Sequence, residues 1–354
     1  MKFKILFVVA ASMLLNIGCS SLNKGSEGDK FANLATPKNT EKASFWQISS
    51  AYFNAERLAP APTLAIPVTT VTTEQLQEPS DALFRLGHAS MAIRLNGQLI
   101  ITDPMLSERA SPVPWFGPKR FHQSPISAAD IPAIDVVIIS HDHYDHLDKA
   151  TIKQLKHKVT LFLTPLKVGQ KLLSWGGVSQ DKIIELDWWE ERVINGIKYV
   201  ATPAQHFSGR GMFDRNRSLW ASWVIQSAEQ NLYFSGDSGY FDGFKAIGEK
   251  YGPFDVTMVE TGAYNEFWRD MHMFPEDSIQ AHLDLQGTYM MPVHNGTFDL
   301  ALHDWYEPFE RLLVLSEQHN VSLLTPQFGQ EVRLDNVPPT PLWWREAMPE
   351  KTWQ

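Results

Sequence analysis

From Ala82 onward the chain alternates short apolar runs with polar breaks marked by glycine and proline. Leu83–His88 and Ser90–Leu95 read as two strands. Asn96-Gly97 is a hairpin turn leading into a third strand, Gln98–Ile101, which ends at Asp103-Pro104. Residues 104–132 form a loop dense in proline and aromatics. Val136–Ile139, β-branched and bounded by polar residues, predicts a buried strand. Asp148 is placed to cap a helix over Lys149–Lys158. Strands are expected at Val159–Leu163, Ile183–Leu186, Arg192–Ile194, Lys198–Thr202, Leu219–Ile225 and Asn231–Ser235, the last two as a hairpin. Further strands are predicted at Asp255–Val259, Thr288–Pro292, Val321–Leu324 and Glu331–Leu334. Helices are predicted at Val168–Trp175, Phe241–Tyr251, Pro275–Leu285 and His303–Gln318. Interleaved strands and helices imply an α/β domain with a mixed sheet or more than one sheet, its core beginning near Ala82.

Upstream of that body the pattern changes. Lys2 and Lys4 precede an apolar run from Ile5 to Leu15, then Gly18-Cys19-Ser20-Ser21. The run is short for a membrane span and reads as a secretory signal over residues 1–18. Cys19 after Gly18 resembles the lipobox of bacterial lipoproteins, which implies lipidation at Cys19. Asn16 departs from that pattern, where leucine is usual. An ordinary signal, or a short anchor helix with a chance cysteine, is the alternative. Ser20 after the cysteine resembles the outer-membrane sorting pattern, so the expected location is the bacterial cell envelope, lipid-anchored, at the outer membrane. Residues 19–45 read as a flexible tether. Residues 46–354 read as a single domain whose N-terminal extension is an extended lead-in punctuated by Pro60, Pro62 and Pro67. Cys19 is the single cysteine, so the body holds neither a disulfide nor a thiolate ligand. A formal net charge of −9 argues against a nucleic-acid partner.

The chemistry concentrates directly after Val136–Ile139. Ser140-His141-Asp142-His143-Tyr144-Asp145-His146-Leu147-Asp148 packs three histidines and three acids into one strand-end loop. Imidazole and carboxylate at this density suit a divalent cation. Other strands also run into such residues: Lys198–Thr202 into His206, Leu232–Ser235 into Asp237, and Tyr289–Val293 into His294. In an extended segment residues two apart point the same way, so His141 and His143 can reach one metal, with His206 completing the set. Asp145 and His146 lie further round the loop and can address a second metal with His294. Asp237 is placed to bridge the two.

His141-x-His143-x-Asp145-His146, then His206, Asp237 and His294, resembles the metallo-β-lactamase superfamily. The resemblance extends to one branch, the N-acylphosphatidylethanolamine-hydrolysing phospholipase D enzymes and related bacterial lipoproteins. It rests on Gly87-His88-Ala89-Ser90, Thr102-Asp103-Pro104, Asp187-Trp188-Trp189, Pro203 to Arg210, Ser218 to Trp223, Gly236 to Tyr240, Gly262-Ala263-Tyr264, His272-x-x-Pro275-Glu276 and His294-x-Gly296-Thr297-Phe298. It implies an αββα sandwich: two mixed sheets face to face, helices outside, two divalent metals at one edge. Zinc is the expected metal, with manganese or iron as alternatives. It further implies metal-hydroxide attack on the phosphorus of a phospholipid or other amphipathic phosphodiester. His272 matches a family position near substrate, a phosphate contact or proton donor. Asp103 and His88 match positions near the metal edge that orient ligands. Asp145, His272 and Asp103 are thus the candidate catalytic residues. Asn265-Glu266-Phe267-Trp268-Arg269 departs from the branch, which has Glu-Pro-Arg after the Gly-Ala-Tyr motif, so the substrate wall is expected to differ.

Several residues carry two readings. Arg210 and Arg215 either contact phosphate or lie solvated. Asp142 is expected to face away from the metals, solvated or capping an amide. His122, His157, His282, His303 and His319 are expected at the surface. Trp115-Phe116, Phe213 and Phe267-Trp268 either meet lipid or pack over sheet edges. Lactone, amide or β-lactam hydrolysis at the same site remains an alternative reaction, and a non-catalytic envelope lipoprotein an alternative class.

Overall fold

The computed structural model describes residues 30–36, 45–175 and 177–348. Two seven-stranded sheets carry the architecture. The first has the order β14-β1-β2-β3-β4-β5-β6, built from β1 Ala82–Gly87, β2 Ser90–Leu95, β3 Gln98–Thr102, β4 Ile134–Ile138, β5 Val159–Pro165, β6 Ile183–Leu186 and β14 Glu331–Arg333. The second has the order β13-β12-β11-β10-β9-β8-β7. Its members are β7 Glu191–Ile194, β8 Ile197–Thr202, β9 Ser222–Gln226, β10 Asn231–Phe234, β11 Phe254–Glu260, β12 Gly287–Val293 and β13 Ser322–Leu323. Each sheet is mixed. Pairing is antiparallel from β14 to β3 and parallel from β3 to β6. In the second sheet β10 to β13 are parallel and β7 to β10 antiparallel.

Side-chain alternation sets the layers. Leu83, Ile93, Val136 and Ile138 face Trp223, Phe234, Met258 and Met291 between the sheets. Phe84, Ile101, Val137 and Phe162 face outward, under the helices α3 Lys149–Leu155 and α4 Gly169–Ser174. On the far side Val224, Tyr233 and Val259 pack beneath α5 Gly243–Tyr251, α6 Pro275–Asp284 and α7 Glu307–His319. Central strands covered on both faces read as continuous apolar runs for this reason. Asp148 caps α3, accepting from the N–H groups of Ala150 and Thr151.

Some elements differ from the sequence expectation. The lead-in holds two helices, α1 Phe45–Asn54 and α2 Thr73–Leu76, the second closed by a Thr72–Gln75 capping box. The core begins before Ala82: Val71 and Leu76 enter the outer core, and Ala59 and Ile66 pack with Trp343 and Trp344. Helix α7 starts at Glu307, with Pro308 in its first turn, not at His303. Strand β9 starts at Ser222 because Leu219 and Ala221 donate instead to the carbonyls of Leu166 and Ser140 across the sheet gap. His122 and His282 are buried, not at the surface. Residues 30–36, inside the span read as tether, lie against the body. The signal segment and Cys19 fall outside the described residues. Among the described residues no helix is long and apolar enough to cross a membrane.

Candidate metal centre

The C-terminal ends of β4, β8, β10, β11 and β12 converge on one edge of the sandwich. Strand β4 leads into the loop with His141, His143, Asp145 and His146. Strand β8 leads to His206, β10 to Asp237 and β12 to His294. Nε2 of His141 lies 2.8 Å from Nδ1 of His143, which is 3.3 Å from Nε2 of His206. Oδ2 of Asp237 is 3.8 Å and 3.7 Å from the Nε2 atoms of His141 and His206. These four form one ligand cage. On the other side of Asp237, Nε2 of His146 is 3.1 Å from Oδ1 and Nε2 of His294 is 3.2 Å from Oδ2. Asp145 Oδ2 closes that cage, 3.3 Å from His294 Nε2 and 3.6 Å from His146 Nε2. The structure thus brings together all seven residues that the sequence singles out as ligands, in two cages that meet at Asp237, with His88 within reach of the second.

The turn geometry is specific. His88, Asp103 and His294 hold left-handed backbones, at φ 52°, 36° and 66°. Such conformations in non-glycine residues cluster at functional sites. Gly236, before the shared aspartate, is also left-handed, and a Cβ there would fall 2.5 Å from that of Ser140. Only glycine lets the β10 end approach the β4 loop this closely.

Beneath the ligands lies a supporting layer. Asp103 accepts from Ser140 N at 2.7 Å and from Ser140 Oγ at 2.6 Å, and pairs with Nδ1 of His146 at 2.7 Å. Ser140 Oγ in turn lies 2.9 Å from Nδ1 of His141. Asp103 is fully buried and therefore fixes two ligand rings from behind instead of meeting substrate. His88 sits at the same depth, its Nε2 2.9 Å from Asp145 Oδ2. Asp142 faces away and is buried, accepting from Gly209 N at 2.8 Å and Ser218 Oγ at 2.9 Å. Arg210 neither lies solvated nor reaches into the cages. Its guanidinium donates to the carbonyls of Asp142, His143 and Leu147 and lies over the Tyr144 ring. Arg215 covers Phe207.

The electrostatics fit cations. Nε2 of His146, Nε2 of His294 and Oδ1 of Asp237 are buried without a hydrogen-bond partner among the described residues. Burial, with the neighbouring imidazoles, holds His141 and His206 well below the ordinary histidine range, so both rings are neutral, the form that can donate a lone pair to a cation. Burial likewise brings His143 down to about 4. Burial opposes protonation of His294 too, but Asp237 and Asp145 push it up to about 10. The carboxylates thus draw positive charge into the second cage, the charge that a metal would supply.

Sequence reasoning missed Glu260. It ends β11, is fully buried, accepts from Ser238 N at 3.0 Å and holds Nδ1 of His272 in a short hydrogen bond. Burial raises its carboxyl, opposed by His272. The same strand-end rule that marks the ligands applies to it. His272 itself borders both cages, its ring 5.1 Å from that of His206 and 5.3 Å from that of His294. Trp115 and Phe213 stand exposed at 76% and 83%, whereas Trp268 is tied down through Nε1 to Ala263 O.

Residues 98–295 match the β-lactamase superfamily domain. The chain belongs to this superfamily. Its αββα sandwich is that of the metallo-β-lactamase superfamily, and the protein is one of its metal-dependent hydrolases. Among superfamily members, an uncharacterised protein of Mycobacterium tuberculosis is 43% identical over 82% of this chain and 79% of its own length. The N-acyl-phosphatidylethanolamine-hydrolyzing phospholipase D 1 of Caenorhabditis elegans is 34% identical over 75% of this chain and 79% of its own. An isothiocyanate hydrolase from Delia radicum gut bacteria shares the fold at a TM-score of 0.57 and 21% identity, covering 71% of this chain and 97% of that one.

Proposed function

We propose that this superfamily member is a phospholipase D-like phosphodiesterase acting on N-acylphosphatidylethanolamine-like phospholipids. The observation that carries the reading is the pair of cages sharing Asp237, with His272 beside both. His141, His143, His206 and Asp237 would hold one cation, and Asp145, His146, His294 and Asp237 the other. When bound, two such cations activate water and withdraw charge from a phosphoryl group. The likeness to the nematode phospholipase favours phosphorus as the centre attacked.

The protein's own groups supply the rest. His88 holds Oδ2 of Asp145, the same oxygen that His294 approaches, so that carboxylate keeps its orientation. Glu260 occupies Nδ1 of His272, which leaves Nε2 to face the leaving oxygen. As water oxygen bonds to phosphorus, the phosphorus–oxygen bond to the N-acylethanolamine breaks. The leaving oxygen takes a proton from His272, the proton shed by the attacking water replaces it, and phosphatidic acid is the second product. Asp103 keeps His146 and His141 aimed throughout. A small recess beside His294 is lined by Asn295, Asp299 and His303 as well as by Phe121, Phe298 and Leu300. Exposed Trp115 and Phe213 suit contact with a lipid surface. Removal of residues 1–18 and lipidation of Cys19 would put enzyme and substrate on one membrane of the bacterial envelope.

The test is a panel of bis(p-nitrophenyl) phosphate, an N-acylphosphatidylethanolamine, a lactone and a β-lactam, with and without chelator. Chelator-sensitive release of N-acylethanolamine is the expected result. Turnover of the carbonyl compounds alone sinks the phosphodiesterase reading. Folded protein that takes up no metal sinks the dinuclear one.

A further inference from the structure

The segment 30–36 crosses the edge of the sandwich where β8 ends. Phe31 N donates to Asn216 O at 2.8 Å, and Gln205 Nε2 donates to Ala35 O at 3.2 Å. Between these two ties stands Asn33. Its Oδ1 accepts from His206 N at 3.0 Å and from Trp220 Nε1 at 2.9 Å, and its Nδ2 donates to His206 O at 2.9 Å. Two donors face the oxygen and one carbonyl faces the nitrogen, so the amide has one sensible orientation. His206 lies beyond β8, where no ladder partner remains for its peptide groups. It is 1% exposed, so water does not replace one. Among the described residues Asn33 alone pairs both its N–H and its C=O.

The ring of His206 has a second tie, Nδ1 to Met271 O at 3.0 Å. With Asn33 on the backbone and Met271 on Nδ1, the residue has no freedom left, and Nε2 points into the first cage. His206 is also the one histidine of that cage that does not come from the β4 loop. Its placement depends on contacts to this otherwise separate segment.

We infer that Asn33, on the N-terminal segment outside the two sheets, is a positioning residue for the metal ligand His206, so that the first cage is completed by chain lying ahead of the hydrolase body. This rests on the reading of His206 as a ligand. Substitution removes three hydrogen bonds and leaves two buried peptide groups unpaired, a loss that falls on one cage and not the other.

The test uses the full chain and cobalt(II) as the probe, with affinities from chelator competition and the absorption spectrum as a second readout. Wild type, Asn33→Ala, Asn33→Asp and His206→Ala are compared, together with the thermal midpoint of each metal-free form. In Asn33→Ala one of the two equivalents is expected to weaken by about 10- to 100-fold, with an altered cobalt spectrum, while the other is unchanged. Asn33→Asp keeps both accepted bonds, loses the donated one, and is expected to fall between. It decides by the same criteria if the alanine variant does not fold. Two equivalents at wild-type affinity in the substituted protein overturn the inference. Two equivalents in His206→Ala instead overturn the ligand assignment on which it rests.

Discussion

Asp103 Oδ2 lies 2.7 Å from Nδ1 of His146, and both side chains are fully buried. Through Ser140 the same carboxylate also reaches His141, so one aspartate governs a ring in each cage. Replacing Asp103 with alanine should therefore weaken both metal equivalents, by about 10- to 100-fold each. Metal-to-protein ratios after dialysis against graded chelator would show it. Loss of turnover at full metal content would instead make Asp103 a residue that acts on substrate.

The seven candidate ligands could be picked out from sequence because each follows an apolar strand, and strand ends on one edge converge. Asp103 also follows a strand, but it was the family resemblance that singled it out. Glu260 obeys the rule, directly after the strand drawn as Asp255–Val259, but a lone glutamate with no histidine beside it in sequence carries a weaker signal. Arg210 could not be assigned, because its partners are backbone carbonyls and carry no residue signature. Asn33 was invisible in a polar segment whose composition resembles any tether. The sandwich core was legible through continuous apolar runs. The contribution of Ala59 to Leu76 was not, because prolines and isolated apolar residues show no period.

Glu260→Gln keeps the size and one acceptor of the side chain but removes the negative charge held against His272. Turnover should fall by about 100-fold while both metals stay bound, since a weaker partner leaves His272 a poorer, less oriented proton donor. Steady-state rates paired with metal analysis test this. An unchanged rate would remove His272 and Glu260 from the chemistry.

Arg210→Lys retains charge but cannot span the three carbonyls that the guanidinium holds. Stability should drop by about 2–3 kcal/mol. Metal should leave more readily, with KM little altered in the fraction that stays loaded. Chemical denaturation alongside KM decides the matter: wild-type stability with a raised KM would make Arg210 a substrate contact.

His282 lies on the buried face of α6, its Nδ1 2.7 Å from Thr257 Oγ1, and burial brings it down to about 4 from the ordinary 6.5. The unfolded chain takes up this proton as pH falls below 6.5, while the folded chain refuses it until about 4. Stability from this residue is therefore complete above pH 6.5 and declines between 6.5 and 4, by about 2 kcal/mol at pH 5. His282→Gln should lose that slope. The measurement is the difference in unfolding free energy between wild type and variant at pH 7 and pH 5. A difference independent of pH contradicts the assignment.

The shared edge has one more consequence. His141, His143, Asp145 and His146 hang from the first sheet, whereas His206, Asp237 and His294 hang from the second. Neither sheet owns a complete cage. A cation in either cage is thus a rivet between the two layers, and the ångström-scale seating of one sheet on the other is itself part of the coordination geometry. Residues such as Trp223 and Met258, deep between the layers and remote in sequence from every ligand loop except through their strands, set the span that the rivets must bridge.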